Sequence, residues 1–128
     1  MNDKIEYWIE MSEYDFDSAK ALLKTKRFLH AGFMCHQTIE KILKAYWQYK
    51  KDDMPPKTHN LSYLASKTGL FDELSYDQLS LLDELDPLNI EARYPEHKDL
   101  LFKKMNKNYT KNIVKKTQEL YTWIKMKL

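Results

Sequence analysis

His36 and Glu40 stand four residues apart in a stretch with helical periodicity. On a helix that spacing puts an imidazole and a carboxylate on one face, where they can share a proton or a metal ion. No second pair repeats the spacing and His36 borders an apolar face, so a hydrogen-bonded structural histidine is expected, with no metal and no other cofactor. His59, within Thr58-His-Asn60, reads as a residue that packs or caps near a helix start. Cys35 is the one cysteine, which excludes an internal disulfide and a cysteine-based zinc cluster. Its place in the middle of an apolar stripe predicts a packed, unreactive thiol. Asp83, Glu84 and Asp86 read as a solvated face, and no Ser/His/Asp set emerges.

The elements that must hold these residues are helices. Only Gly32 and Gly69 are glycines among 128 residues, too few for a Gly-rich phosphate loop, a dinucleotide fingerprint or a turn-rich sheet. No apolar run approaches the roughly 18 residues of a membrane helix, and the first residues do not resemble a signal peptide. The expectation is a soluble, cytoplasmic single domain over 1–128.

Residues 3 to 26 place Ile5, Trp8, Ile9, Phe16, Ala19, Leu22 and Leu23 on one face, with charged residues opposite. A second stripe, Tyr7, Met11, Tyr14, Ser18 and Ala21, alternates by four and three, the spacing of a helix with another partner on its flank. Tyr7, Met11, Tyr14 and Ala21 are therefore the candidate dimer interface, although a helix of the same chain could also cover them. From Phe28 to Lys50 the apolar arc, with Phe28, Ala31, Cys35, Ile39, Ile42, Tyr46 and Tyr49 as its inward stripe, exceeds half the circumference, leaving Gln37, Glu40, Lys41, Lys44 and Gln48 as the polar strip. Such an arc belongs to the most buried helix of a bundle. Glu40 and Lys44 stand at i and i+4, a pair contributing about 0.2–0.5 kcal/mol if exposed.

Lys51 to Lys57 is a polar, proline-containing connection. Thr58 or Asn60 can cap a short helix that Gly69 ends, Ser75 and Gln78 form a capping box that opens another, and Asp86-Pro87 breaks or restarts that helix. The last helix is expected from Lys98 or Asp99 to the C-terminus, with Phe102, Met105, Tyr109, Ile113, Leu120 and Ile124 inward. The fold class that follows is all-α, an antiparallel up-and-down bundle of four main helices plus one or two short ones.

Charge is divided along the chain. Residues 98 to 128 hold nine lysines against Asp99 and Glu119, a net +7, while the first 97 residues carry −5. Lys104, Lys107, Lys111 and Lys115 share the outer face of the last helix and define a candidate nucleic-acid surface. The lack of an aromatic on that face weighs against a single-strand binder, and a lysine-rich solvated face is the plainer reading.

Three blocks carry a family resemblance: His36-Gln-Thr-Ile-Glu-Lys-Ile-Leu-Lys-Ala45, Thr58-His-Asn-Leu-Ser-Tyr-Leu64 and Glu91-Ala-Arg-Tyr-Pro-Glu96. In that order and spacing the chain resembles the HEPN family of bacterial and archaeal helical domains, from about Tyr7 to Ile124. The resemblance implies a helical bundle, commonly a homodimer and often paired with a minimal nucleotidyltransferase in toxin–antitoxin fashion. Some members are endoribonucleases, others nucleotide- or substrate-binding partners. The ribonucleases carry arginine and histidine four to six residues apart, the arginine for phosphate charge and the histidine for proton transfer. The near match is Arg93-Tyr-Pro-Glu-His97, with three residues between, and Pro95 biases Tyr94 away from helical dihedrals. The expected function is thus a non-catalytic binding module, with an Arg93/His97 ribonuclease as the alternative. Arg93, His97, Lys41 and His59 are the ligand-binding candidates for a nucleotide phosphate. Glu40, Lys44, Tyr94 and Pro95 are the structural ones, with Arg93 also suited by type to clamp a carboxylate such as Glu40.

Overall fold

A computed structural model of the chain describes residues 2–89 and 95–128, the side chains of 95–98 excepted. Arg93 and Tyr94, with the side chains of Pro95 and His97, fall outside the described residues. Six α-helices and two 3-10 turns follow one another there, and no strand occurs among the described residues. The expected all-α bundle is what the chain forms.

Helix α1 (Asp3–Lys24) starts where Asn2 Oδ1 accepts from Ile5 N, with Asp3 and Glu6 in the first turn facing the positive end of the helix dipole. Helix α2 (Phe28–Lys51) ends at Asp52, whose left-handed φ of 53° turns the chain away. Ser12 Oγ donates to Thr38 O while Lys44 lies over Trp8, so the two helices run antiparallel. Asn60, of the two candidates, caps α3 (Leu61–Lys67) by accepting from Tyr63 N. Gly69 then turns with φ 80°, a left-handed value that glycine adopts at no steric cost, into the 3-10 turn Leu70–Glu73. Ser75 and Gln78 form the expected reciprocal capping box of α4 (Tyr76–Leu85). Asp86–Leu88, with Pro87 in its first turn, is a second 3-10 turn.

The last helix is divided, contrary to the single run expected from Asp99 onward. Helix α5 (Pro95–Lys104) stops before Asn106, which caps α6 (Lys107–Lys125) by accepting from Tyr109 N. An asparagine side chain that satisfies the next helix's free N–H groups competes with continuation of the previous one. Met105 at the break is buried, and its Cε lies 2.6 Å from where a Cβ on Gly32 would stand. The bend thus lets the chain close onto a glycine of α2. A change of phase follows: Leu101 faces the core, whereas Phe102, expected inward, is 58% exposed.

Helix α2 is the axle. It touches α1, α3, α4, α5, α6 and the Asp86–Leu88 turn, and Cys35, Ile39, Ile42, Leu43 and Ala45 are all buried. Two expectations about its faces change. Tyr49, placed on the inward stripe, is exposed near the helix end. Glu40, Lys44 and Gln48, assigned to the polar strip, are buried. With partners on nearly every side, no watered face remains for them.

Candidate functional site

The buried polar strip of α2 converges on Glu40. Its carboxylate is 2% exposed and fully engaged: Oε2 accepts from Lys44 Nζ at 3.0 Å, and Oε1 accepts from His59 Nδ1 at 2.7 Å. A carboxylate taken out of water requires such partners, because desolvation costs several kcal/mol per ion. The i, i+4 spacing brings Lys44 back one helical turn, and its ammonium also lies 5.5 Å from the Trp8 ring centroid. The value of an exposed pair therefore does not apply to Glu40 and Lys44.

His59 reaches Glu40 from the connection that precedes α3, which Asn60 and Thr58 shape. Thr58 Oγ1 accepts from Asn60 N, and Thr58 N donates to Pro56 O. Asn60, next in sequence, supplies the cap, and His59 links α2 to the loop. Its ring is half exposed. With Nδ1–H committed to the carboxylate, the neutral imidazole keeps its lone pair on Nε2, a fixed tautomer and a fixed direction. Chemically that nitrogen can take a proton or a hydrogen bond from a ligand.

His36 sits behind this pair with no exposed surface. Its Nδ1 is 3.3 Å from Gln37 Oε1 and 3.9 Å from Glu40 Oε1, and its Nε2 has no hydrogen-bond partner among the described residues. Burial drives its pKa below the ordinary 6.5, and Glu40, Gln37, Asp86 and the His59 backbone only partly oppose that. His36 is thus a neutral core residue. Among the described residues no three His, Cys, Asp or Glu side chains are grouped to hold a metal ion.

The remaining candidates separate. Lys41 pairs with Asp15 of α1 at 3.0 Å, a contact between helices rather than with Glu40 or His59. Whether Arg93 or His97 approaches His59 is outside the described residues, as is the Arg93–Glu40 clamp; both Glu40 oxygens already have donors. Cys35 is fully buried, and desolvation pushes its thiol up to about 12. On α1, Tyr7 and Tyr14 are exposed, at 54% and 70%, with Met11 half-buried and Ala21 exposed. No helix among the described residues buries this stripe. Trp8 as a wall of the Glu40 cluster was not foreseen, nor was the burial of Lys44. The available signal was a charged pair on a helix whose apolar arc leaves little room for water.

A protein-family model described as the HEPN domain matches residues 5–127, nearly the whole chain. No curated protein and no solved structure matches it. No helix among the described residues is long and apolar enough to cross a membrane.

Proposed function

The chain belongs to the HEPN family, and on that premise we propose that it is a non-catalytic binding and interaction module. It associates as a homodimer and serves a minimal nucleotidyltransferase as its nucleotide- or substrate-binding partner. The observation that carries this reading is the stripe on α1, where two tyrosines, a methionine and an alanine stay outside the core. A helix that already buries Ile5, Ile9, Phe16 and Ala19 on one face has a second face with the same spacing logic. Tyrosines suit such a surface, since the ring is buried while the hydroxyl finds a partner. The half-exposed His59, aimed by a buried carboxylate, is the ligand-facing residue of this reading.

Light scattering at micromolar concentration tests the association. A dimeric mass is expected, with Tyr14→Glu returning the monomer, and a monomeric parent overturns it. The purified chain alone should transfer no nucleotide; robust transfer refutes its role as the partner. The Arg93/His97 ribonuclease is tested on mixed RNAs with EDTA present. Cleavage by the parent and not by an Arg93→Ala/His97→Ala variant replaces the binding module with an enzyme.

A further inference from the structure

We infer that in the homodimer α1 of each protomer lies along α6 of the other, with Glu6 and Glu10 set against Lys107 and Lys111 of the partner subunit. The inference rests on the homodimer proposed above and names what covers the α1 stripe. Two ridges of opposite charge are available. Asp3, Glu6 and Glu10 are exposed on the flank of that stripe, and Lys107, Lys111 and Lys115 on the outer flank of α6. None of the six forms an ion pair among the described residues. Among the described helices, α6 alone carries lysine at three successive fourth positions.

Contacts within one chain put both ridges on one side of the bundle. Ser12 of α1 meets Thr38 of α2, Cys35 of α2 lies against Thr117 of α6, and Glu13 accepts from Tyr121 and Lys125. Going back along α1 is thus going forward along α6, so the two are antiparallel neighbours. Asp17, Glu10 and Tyr14 lie about 40°, 60° and 100° round α1 from Glu13, turning away from the core. Lys111 and Lys115 lie about 40° and 80° round α6 from Lys125, away from the core in the same sense. Between antiparallel helices that sense leads to one outer face.

A two-fold axis through this face reverses the chain direction, so α1 runs parallel to the partner subunit's α6. The spacings then match. Glu6, Glu10 and Tyr14 recur at fours, as do Lys107, Lys111 and Lys115, each lysine 101 residues after its counterpart. Phe16 and Thr117 differ by the same interval and stand near one height in a single chain, so the axis that gives this register crosses both helices near their middles. The chain already makes such a contact once: Glu13 holds Lys125, whose ammonium lies 5.8 Å from the Tyr121 ring centroid. Across the axis the partner's Lys115 covers the Tyr14 ring, which has no ammonium over it among the described residues. Tyr14 contributes ring area, which a carboxylate there does not replace even beside a lysine. Pairing α1 with α1 through the same stripe, antiparallel about Tyr14, instead brings Glu10 beside Asp17 of the partner subunit. Like charges meet there, so the lysine ridge is the better cover.

Sedimentation velocity across a concentration series tests the pairing. Glu6→Lys/Glu10→Lys and Lys107→Glu/Lys111→Glu should each raise the dimer Kd about tenfold or more, because each sets like charges together in both contacts. Combining all four substitutions in one chain should return the dimer. Mixing the two variants should also return it as a heterodimer, since both of its contacts then join opposite charges. Added salt should weaken the parent dimer and strengthen that of either variant alone. Lys50→Glu/Lys57→Glu, an equal charge change outside both ridges, should stay dimeric. A dimeric parent whose Lys107→Glu/Lys111→Glu variant is equally dimeric overturns this pairing and leaves the homodimer standing. So does failure of both the four-substitution chain and the mixture to associate, or loss of the dimer in the Lys50→Glu/Lys57→Glu control. A monomeric parent overturns the homodimer and this pairing together, and gives the α1 face to another protein. All variants are compared after circular dichroism confirms an unchanged helical melt.

Discussion

His59 Nδ1 donates to Glu40 Oε1 over 2.7 Å, tying a loop imidazole to a carboxylate buried in the middle of the central helix. Lys44 completes the set from the next turn of α2. Removing Glu40 leaves Lys44 desolvated without its counter-ion, the costly half of a buried pair. Glu40→Ala should destabilise the fold by about 3–5 kcal/mol, and a Glu40→Met/Lys44→Met double variant should recover most of that. His59→Ala should cost less, about 1 kcal/mol, because its ring is half in water. Urea midpoints measure all three, and a loss below 1 kcal/mol for Glu40→Ala would show the carboxylate to be hydrated.

His36 predicts a pH window. Its folded pKa is depressed by burial, while the unfolded chain titrates near 6.5. Below that value the unfolded state binds a proton that the folded state refuses, so stability falls as pH falls through the ordinary histidine range. The limiting slope is about 1.4 kcal/mol per pH unit for one proton. Glu40 and Asp86 favour the charged ring and moderate the slope without reversing it. Melting curves between pH 7.5 and 5 should decline for the parent, and a His36→Gln variant should be flatter over that range whatever its absolute stability. Equal slopes would remove His36 as the cause.

Much of this fold was legible because apolar spacing on a helix is a strong constraint. Ile39, Ile42 and Leu43 could not all be buried unless residues 28 to 50 lay at the centre, and they are buried. The capping box at Ser75 and the turn at Gly69 were equally local. What depended on the third dimension was less so. Glu40 and Lys44 form a polar strip by type and spacing, which leaves open whether water or protein faces it; neighbours on several sides make it an internal ion pair. Phe102 looked buried because the last helix was read in one phase; the cap at Asn106 and the seat of Met105 against Gly32 reset it. His59 could be placed near a helix start but its partner nineteen residues upstream had no local signature.

Cys35 should be chemically silent. It has no exposed surface, and desolvation holds the thiol at about 12, leaving almost no thiolate at neutral pH. A chromogenic disulfide reagent at pH 8 should leave the native chain unmodified for hours and titrate one thiol in denaturant. Stoichiometric reaction of the native protein within minutes would mean that α2 opens far more often than an axle can.

Glu13 predicts a second, more acidic window and a link between α1 and α6. Its Oε1 accepts from both Tyr121 Oη and Lys125 Nζ at 2.7 Å. The Lys125 and Tyr121 hydrogen bonds, in that order, hold its pKa below the ordinary 4.5, against a smaller opposing effect of burial. A depressed carboxylate stabilises the fold above the unfolded value, and that contribution disappears as pH falls through the folded one. The loss therefore lies below pH 4.5, separate from the His36 window. Tyr121→Phe removes one donor and should cost about 1 kcal/mol, at the low end for a bond to a charged group because Glu13 is half in water. Lys125→Met should raise the Glu13 pKa further than Tyr121→Phe does. Carboxyl-carbon NMR titration measures both shifts; a Glu13 resonance that titrates identically in parent and variants would show that α6 is not held to α1 through this residue.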